Sequence, residues 1–153
     1  MQYNIPGQEP LTIETLILDL NGTLAIDGKL IDGVRERIKE LREQAMRIVL
    51  FTGDTNGNAA GIADELQLEV HVTKDALAKA DEAKKLRPET AAAIGNGRID
   101  LELFQTVRLR ILTLQAEGVH RDTLLASDII VPSINDALDL FLKPKRLIAT
   151  MRK

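Results

Sequence analysis

Three short stretches bring together residue types that could do chemistry: Asp19-Leu20-Asn21-Gly22-Thr23, Thr52-Gly53-Asp54 and Gly95-Asn96-Gly97-Arg98-Ile99-Asp100. The first follows an almost unbroken apolar run, Thr15-Leu16-Ile17-Leu18, which suits a strand buried on both faces. A carboxylate at the end of such a strand is costly unless a cation or hydrogen-bond donors meet it. Two readings compete there. Asn21-Gly22 between apolar residues is a strong hairpin signal, and the same turn could instead present Asp19 as a reactive group. Aspartate can act as a nucleophile toward phosphorus, giving an aspartyl-phosphate. Such a transfer needs positioning and charge neutralisation above all. A hydroxyl such as that of Thr52, turn amides at Gly22 and Gly53, and a lysine could each meet phosphoryl oxygens. Mg²⁺ suits the chemistry because it takes one or two carboxylates and keeps several waters.

These stretches need a scaffold, and the chain alternates strand and helix patterns about five times. Tyr3 to Ile5 and Leu11 to Ile13 flank a Pro-Gly turn and predict an N-terminal β-hairpin within residues 1–14. Asp27-Gly28 predicts a second tight hairpin beside the first reactive stretch. Asp32 is placed to cap a helix with Val34, Ile38, Leu41 and Ala45 on its apolar face. A strand from Met46 to Phe51 runs into Thr52-Gly53-Asp54. A helix bearing Ala59, Ile62, Ala63 and Leu66, a strand from Leu68 to Val72 and a helix from Asp75 to Leu86 come next. Strands at 90–94, 108–114 and 128–131 alternate with helices at 101–106 and 121–126. Ser133 and Asp136 predict a capping box for the last helix, which Pro144 should interrupt. Buried-type strands alternating with helices call for a parallel sheet covered on both faces. In such a sheet the three polar turns converge beyond the carboxyl ends of the strands, where ligands bind. The hairpin reading predicts no such convergence.

With 153 residues the chain has room for one well-packed domain. Its 44% hydrophobic and 28% charged content fits a globular protein, and no apolar run is long enough to span a bilayer. The N-terminus lacks a basic start followed by an apolar core, and there is no cysteine. Both fit a cytoplasmic setting. A net charge of −3 and 3% aromatics argue against nucleic acid as a partner. The basic end, Lys143, Lys145, Arg146, Arg152 and Lys153, reads as a solvated helix terminus. His71 and His120 lack ligand-type spacing, and Phe51, Phe104 and Phe141 read as core.

Taken in order, the three stretches resemble the motifs of the haloacid dehalogenase-like (HAD) superfamily. Asp19-Leu20-Asn21-Gly22-Thr23 resembles its first motif. Thr52-Gly53-Asp54 and Gly95-Asn96-Gly97-Arg98-Ile99-Asp100 resemble the Thr-Gly-Asp and Gly-Asp-Gly-x-Asn-Asp of P-type ATPase phosphorylation domains. The likeness runs from Thr15 to the C-terminus and is strongest to small soluble P-type-ATPase-like hydrolases. It implies a three-layer Rossmann-like domain over residues 1–153, with the core at 15–153 and no cap domain. It implies Asp19 as nucleophile and Mg²⁺ ligand, a ligand from Asn21, and Thr52 holding the phosphoryl group. Asn96 and Asp100 complete the implied metal set. The family lysine falls best on Lys79, with Lys74 as competitor.

The resemblance breaks at two asparagines. Asn21 stands where phosphatases of the superfamily carry the acid/base aspartate, and an amide cannot exchange a proton there. General acid–base help is worth about 10²–10⁴-fold, so hydrolysis is expected to be slow. Asn96 replaces a metal-binding aspartate. One charge removed at ~4 Å and an effective dielectric of ~20 forfeits about 4 kcal/mol per unit of cation charge, so Mg²⁺ should bind weakly. Both asparagines precede glycine, a pairing open to deamidation in flexible backbone. Asp54 could hydrogen-bond substrate or cap the following helix. Without room for a cap, either the phosphorylated substrate is macromolecular or a neighbouring subunit of a homo-oligomer covers the site. The alternatives to a slow phosphatase are a binding or regulatory protein on a retired catalytic scaffold and, ranked last, a receiver-like phospho-acceptor module.

Overall fold

A computed structural model describes residues 1–153. β1 (Gln2–Tyr3) and β2 (Leu11–Thr12) form the N-terminal antiparallel pair, shorter than the apolar pattern predicts. Next come β3 (Thr15–Asp19), the small hairpin β4 (Ala25–Ile26) and β5 (Lys29–Leu30), α1 (Val34–Glu43), β6 (Arg47–Thr52), α2 (Ala59–Leu66) and β7 (Glu69–Val72). The second half runs α3 (Ala76–Lys84), β8 (Ala91–Gly95), α4 (Leu101–Thr106), β9 (Leu109–Thr113), α5 (Arg121–Ala126), β10 (Ile129–Val131), α6 (Ile134–Leu142) and α7 (Pro144–Met151).

Six strands make one parallel sheet in the order β10-β9-β8-β3-β6-β7. The chain works outward from β3 to β7, then returns to β8 on the other side of β3 and works outward again. β3 therefore lies at a topological switch point, where a crevice opens beyond the strand ends. It pairs with β6 and β8 along both edges, which rules out an antiparallel hairpin at Asn21-Gly22. Only a single bridge joins Asn21 to Ala25.

Successive strand residues face opposite sides of the sheet, and the apolar residues sort accordingly. Leu16, Leu18, Ile48, Leu50 and Ile94 pack with Ile38 and Leu41 of α1, Ile62 of α2, Phe141 of α6 and Leu147 of α7. Ile17, Val49, Phe51, Ala91 and Ala93 pack with Ala83 of α3 and with Leu103 and Phe104 of α4. The result is the expected three-layer, HAD-like Rossmann fold, with Phe51, Phe104 and Phe141 fully buried. Asp19 has the parity of Ile17, which sends its side chain toward the α3 layer. No helix is long and apolar enough to cross a membrane.

Local expectations fail in two places. Asp32 does not cap α1; Gly33, at φ 86°, occupies that position without a side-chain cap. The helix stops at Glu43, so Ala45 (φ 63°) is exposed outside it rather than on its apolar face. The basic C-terminal residues are all exposed, as expected, and Lys143 and Arg146 also bond Asp139 at 2.6 and 3.3 Å, together with Arg37 at 2.9 Å. Ser133 does cap α6, accepting from the Asp136 amide at 3.2 Å. Its hydroxyl also donates to the Asp136 carboxylate at 2.6 Å. Pro144 separates α6 from α7 as expected.

Candidate active site

The apolar residues of β3 leave the carboxylate of Asp19 with nowhere to go but the sheet's carboxyl edge, where it is only 6% exposed. α3 crosses the same face and delivers Lys79, which is completely buried. Its ammonium donates to Asp19 Oδ1 and to Asp100 Oδ1, both at 2.6 Å. Asp75 secures the start of α3 by accepting from the Ala78 amide at 2.8 Å, so the lysine rides on a well-capped helix. Lys74, its competitor, is exposed beyond β7 and has no part in this cluster.

Asp100 is fixed from the other side. Its Oδ2 accepts from the Asn96 and Gly97 amides, each at 3.0 Å, which folds the β8 exit into a closed turn. Both oxygens of this fully buried carboxylate are thus engaged by protein donors. Gly95 is required here, because a Cβ at that position would sit 2.5 Å from Asp100 Oδ2.

The first and third turns also meet directly. The buried Thr23 hydroxyl reaches Asp19 Oδ2 at 3.3 Å and Asn96 Oδ1 at 3.2 Å. Having one proton, it can donate to only one of them at a time. Gly22 takes φ +75°, and a Cβ there would lie 2.4 Å from Asn96 Nδ2. Close approach of the two turns therefore demands glycine. The Gly22 amide donates to the Ala25 carbonyl at 2.8 Å, so it is occupied within its own turn rather than directed at a phosphoryl group.

Thr52, 1% exposed, accepts from the Asp54 amide at 3.0 Å and keeps its own proton to donate. Gly53 is exposed beside it. Asp54 behaves as a cap: its carboxylate accepts from the Ala59 amide at the start of α2, at 2.9 Å. Asn21 Oδ1 accepts from Asn56 Nδ2 at 2.9 Å, and Asn96 Nδ2 donates to the Gly118 carbonyl at 2.8 Å.

Burial raises the Asp19 carboxyl to about 6, aided by the charge of Asp100 and opposed by Lys79. For Lys79 burial works against the charged form, but the two carboxylates outweigh it and hold the ammonium above its ordinary value. The cluster thus carries two acids around one base. No group of three or more acidic or imidazole side chains converges as a metal site anywhere in the structure. His71 lies between Glu69 (2.8 Å) and Glu82 (3.4 Å) with its ring 5.0 Å from that of Phe51. His120 caps α5, accepting from the Asp122 amide at 3.3 Å. Neither belongs to the cluster.

Three contributors were not singled out by residue pattern. Thr23 lies within the first motif, but its link to Asn96 depends on β3 and β8 being neighbours. Gln115 donates to the Gly22 and Thr23 carbonyls at 3.0 and 2.6 Å and accepts from the Ile134 amide at 2.8 Å, pinning the turn after β3. Asn56 holds the side chain of Asn21. Neither Gln115 nor Asn56 carries a local sequence signal.

No family model matches the chain. Over 73 residues it is 47% identical to the uncharacterized protein MJ0073 of Methanocaldococcus jannaschii, covering 47% of this chain and 78% of that one. Over 137 residues it is 26% identical to the soluble P-type ATPase-like phosphatase of the same organism. That match covers 85% of this chain and half the length of the relative. Among solved structures, the 3-deoxy-D-manno-octulosonate 8-phosphate phosphatase of Moraxella catarrhalis, in complex with magnesium ion, phosphate ion and KDO, superposes with a TM-score of 0.70. It is 20% identical, with 92% of this chain and 94% of that chain covered. The cobalt-bound phosphatase of the same type from Haemophilus influenzae also gives 0.70, at 16% identity and 93% and 94% coverage. These likenesses establish a shared fold. With the three motifs brought together in the order and positions described, the chain shares the fold of haloacid dehalogenase-like phosphatases and is similar to a soluble P-type ATPase-like phosphatase.

Proposed function

We propose that this protein is a slow phosphomonoester hydrolase that works through an aspartyl-phosphate on Asp19. The observation that carries the reading is the buried Asp19–Lys79–Asp100 arrangement at the exit of the central strand. Asp19 Oδ2, whose one protein donor is the Thr23 hydroxyl at 3.3 Å, attacks phosphorus as the bond to the leaving oxygen breaks. Lys79 and the Thr52 hydroxyl balance charge on the phosphoryl oxygens. The departing alkoxide takes its proton from water, because Asn21 has none to give. A second water then attacks the phosphoryl group, releasing inorganic phosphate and restoring the carboxylate. Loss of a resident acid/base sets the rate about 10²–10⁴-fold below that of a fully equipped site.

Oxygen donors fit a hard cation beside Asp19. Asp19 Oδ2 and Asn96 Oδ1 share a single hydroxyl proton and are short of donors. With the Asn21 main-chain carbonyl, Asn96 Oδ1 and the Asp19 carboxylate oxygen not engaged in attack would hold Mg²⁺, which supplies charge neutralisation when bound. Asp100, whose oxygens are committed to Lys79 and two amides, supports the site through the lysine instead of ligating. One carboxylate among neutral oxygens makes the affinity low, and sub-millimolar binding in a calorimetric titration would refute this. Because the substrate is not enclosed by a cap, it is either macromolecular or covered by a second subunit.

The second reading is a binding or regulatory protein. It is favoured by one observation: the amides of Asn21 and Asn96 are each tied into neutral networks, to Asn56 and to Gly118. Phosphomonoester turnover with Mg²⁺ separates the two. A hydrolase loses activity in Asp19→Asn and gains it in Asn21→Asp. No turnover in wild type or Asn21→Asp favours the binding protein.

A further inference from the structure

Beside Asn21 the surface opens into a cavity of about 540 Å³ lined by Asn21, Asp27, Thr55, Asn56 and Glu117, none of them hydrophobic. Three segments distant in sequence are tied together around it. Asp27, at φ 51° on the tip of the β4–β5 hairpin, donates its amide to Glu117 Oε1 at 2.8 Å. Asn58 Nδ2 donates to the neighbouring Gly28 carbonyl, also at 2.8 Å. Asn56 in turn holds Asn21. The hairpin is therefore fastened on both sides, and the cavity walls are set before any ligand arrives.

The lining chemistry is one-sided. Two carboxylates, two amides and a hydroxyl face the space, and no cation does; Lys29 of the same hairpin and Lys74 lie outside the lining. An apolar or aromatic group would find no apolar surface to cover. A second anionic group would meet two like charges, whereas hydroxyls or an ammonium would find partners.

We propose that this cavity is the leaving-group subsite and that it selects phosphomonoesters of neutral or cationic, hydroxyl- or amino-bearing alcohols while rejecting those with a second anionic group. The proposal rests on the reading that the phosphoryl group is held at Asp19. Because both carboxylates are solvated, discrimination should be roughly tenfold at low ionic strength and fade with added salt.

The test uses three phosphonates of equal length, whose C–P bond the proposed chemistry does not cleave: 3-aminopropylphosphonate, 3-hydroxypropylphosphonate and 3-phosphonopropionate. Binding is measured by NMR titration in Mg²⁺ for wild type and for Asp27→Asn/Glu117→Gln. That variant removes both charges but keeps the Glu117 acceptor and a residue tolerant of positive φ. Wild type should bind the amine and the alcohol about tenfold tighter than the carboxylate, and the variant should treat all three within about twofold. Equal binding by wild type, a preference that survives in the variant, or no binding of any compound at tens of millimolar each overturns the proposal. Ester turnover is scored separately. Discrimination without turnover removes the hydrolase and leaves the subsite, and turnover without discrimination does the reverse.

Discussion

Replacing Lys79 with methionine should destabilise the fold more than any other single change at the site. Methionine matches the length of the aliphatic stem, so packing changes little, but two buried carboxylates lose the cation they share at 2.6 Å. Breaking a buried pair by removing one partner costs about 3–5 kcal/mol. Here the loss should lie toward the upper end, since Asp19 and Asp100 then also repel. The protein can escape by taking up a proton, which gives the effect a pH signature. Asp19 already has a folded value near 6, above its unfolded value of 3.8. A carboxyl raised in this way stabilises fully below its unfolded value, and the contribution is lost as pH rises through the folded one. In wild type that window lies between about 4 and 6; without Lys79 it extends upward. Urea unfolding in the presence of a chelator, near pH 5 and near pH 8, should therefore show Lys79→Met much weaker at the higher pH. Asp19→Asn, which leaves a neutral Lys79–Asp100 pair, should be close to wild type or more stable. Adding Asp19→Asn to Lys79→Met should recover part of the loss. A Lys79→Met variant within about 1 kcal/mol of wild type at both pH values would refute the electrostatic account.

Four further outcomes are expected. Gly22→Ala forces a side chain at φ +75° into Asn96, which should cost about 1–3 kcal/mol in thermal or chemical unfolding and abolish turnover. Gly95→Ala pushes on the Asp100 carboxylate at 2.5 Å and should cost about 1–3 kcal/mol, with turnover falling as Lys79 loses its anchor. Asn96→Asp adds a charge where one is missing and should tighten Mg²⁺ at least tenfold by calorimetry, about 1.4 kcal/mol; unchanged affinity would remove Asn96 from the ligand set. At the opposite end, Asp139 is costly to bury, but Lys143 and Arg37 bond it and hold its carboxyl below the usual range. Its stabilising share is present above the unfolded carboxylate value and lost as pH falls through the folded one. Because Arg37, Lys143 and Arg146 are partly exposed, Asp139→Asn should cost only about 1–2 kcal/mol near neutral pH, with the difference from wild type vanishing in acid.

The framework was legible because buried parallel strands leave an unmistakable apolar pattern, and a charge at the end of Leu16-Ile17-Leu18 stands out against it. Three such ends, in a sheet whose topology is constrained, must meet at one edge. Lys79 was legible only through the family resemblance, since its neighbours Lys74, Lys84 and Lys85 are solvated and look the same in sequence. Failures were local. Asp32 has the residue type of a cap, but Gly33 takes a left-handed conformation and starts α1 one residue later. Gln115 and Asn56 stayed hidden because side chains that tie one turn to another obey no periodicity. The charge of the cavity beside Asn21 was equally unreadable, being assembled from residues 27 and 117.

Both partners of β3 lie later in the polypeptide, residue 47 onward on one edge and residue 91 onward on the other. During synthesis Asp19 thus leaves the ribosome long before Lys79, the cation that neutralises it. Asp19 gains its ammonium partner only by closing a loop of 60 residues, the type of distant pairing that slows folding. Any aspartyl chemistry is consequently a property of the finished chain alone, and recovery of activity after denaturation would report the last step of assembly.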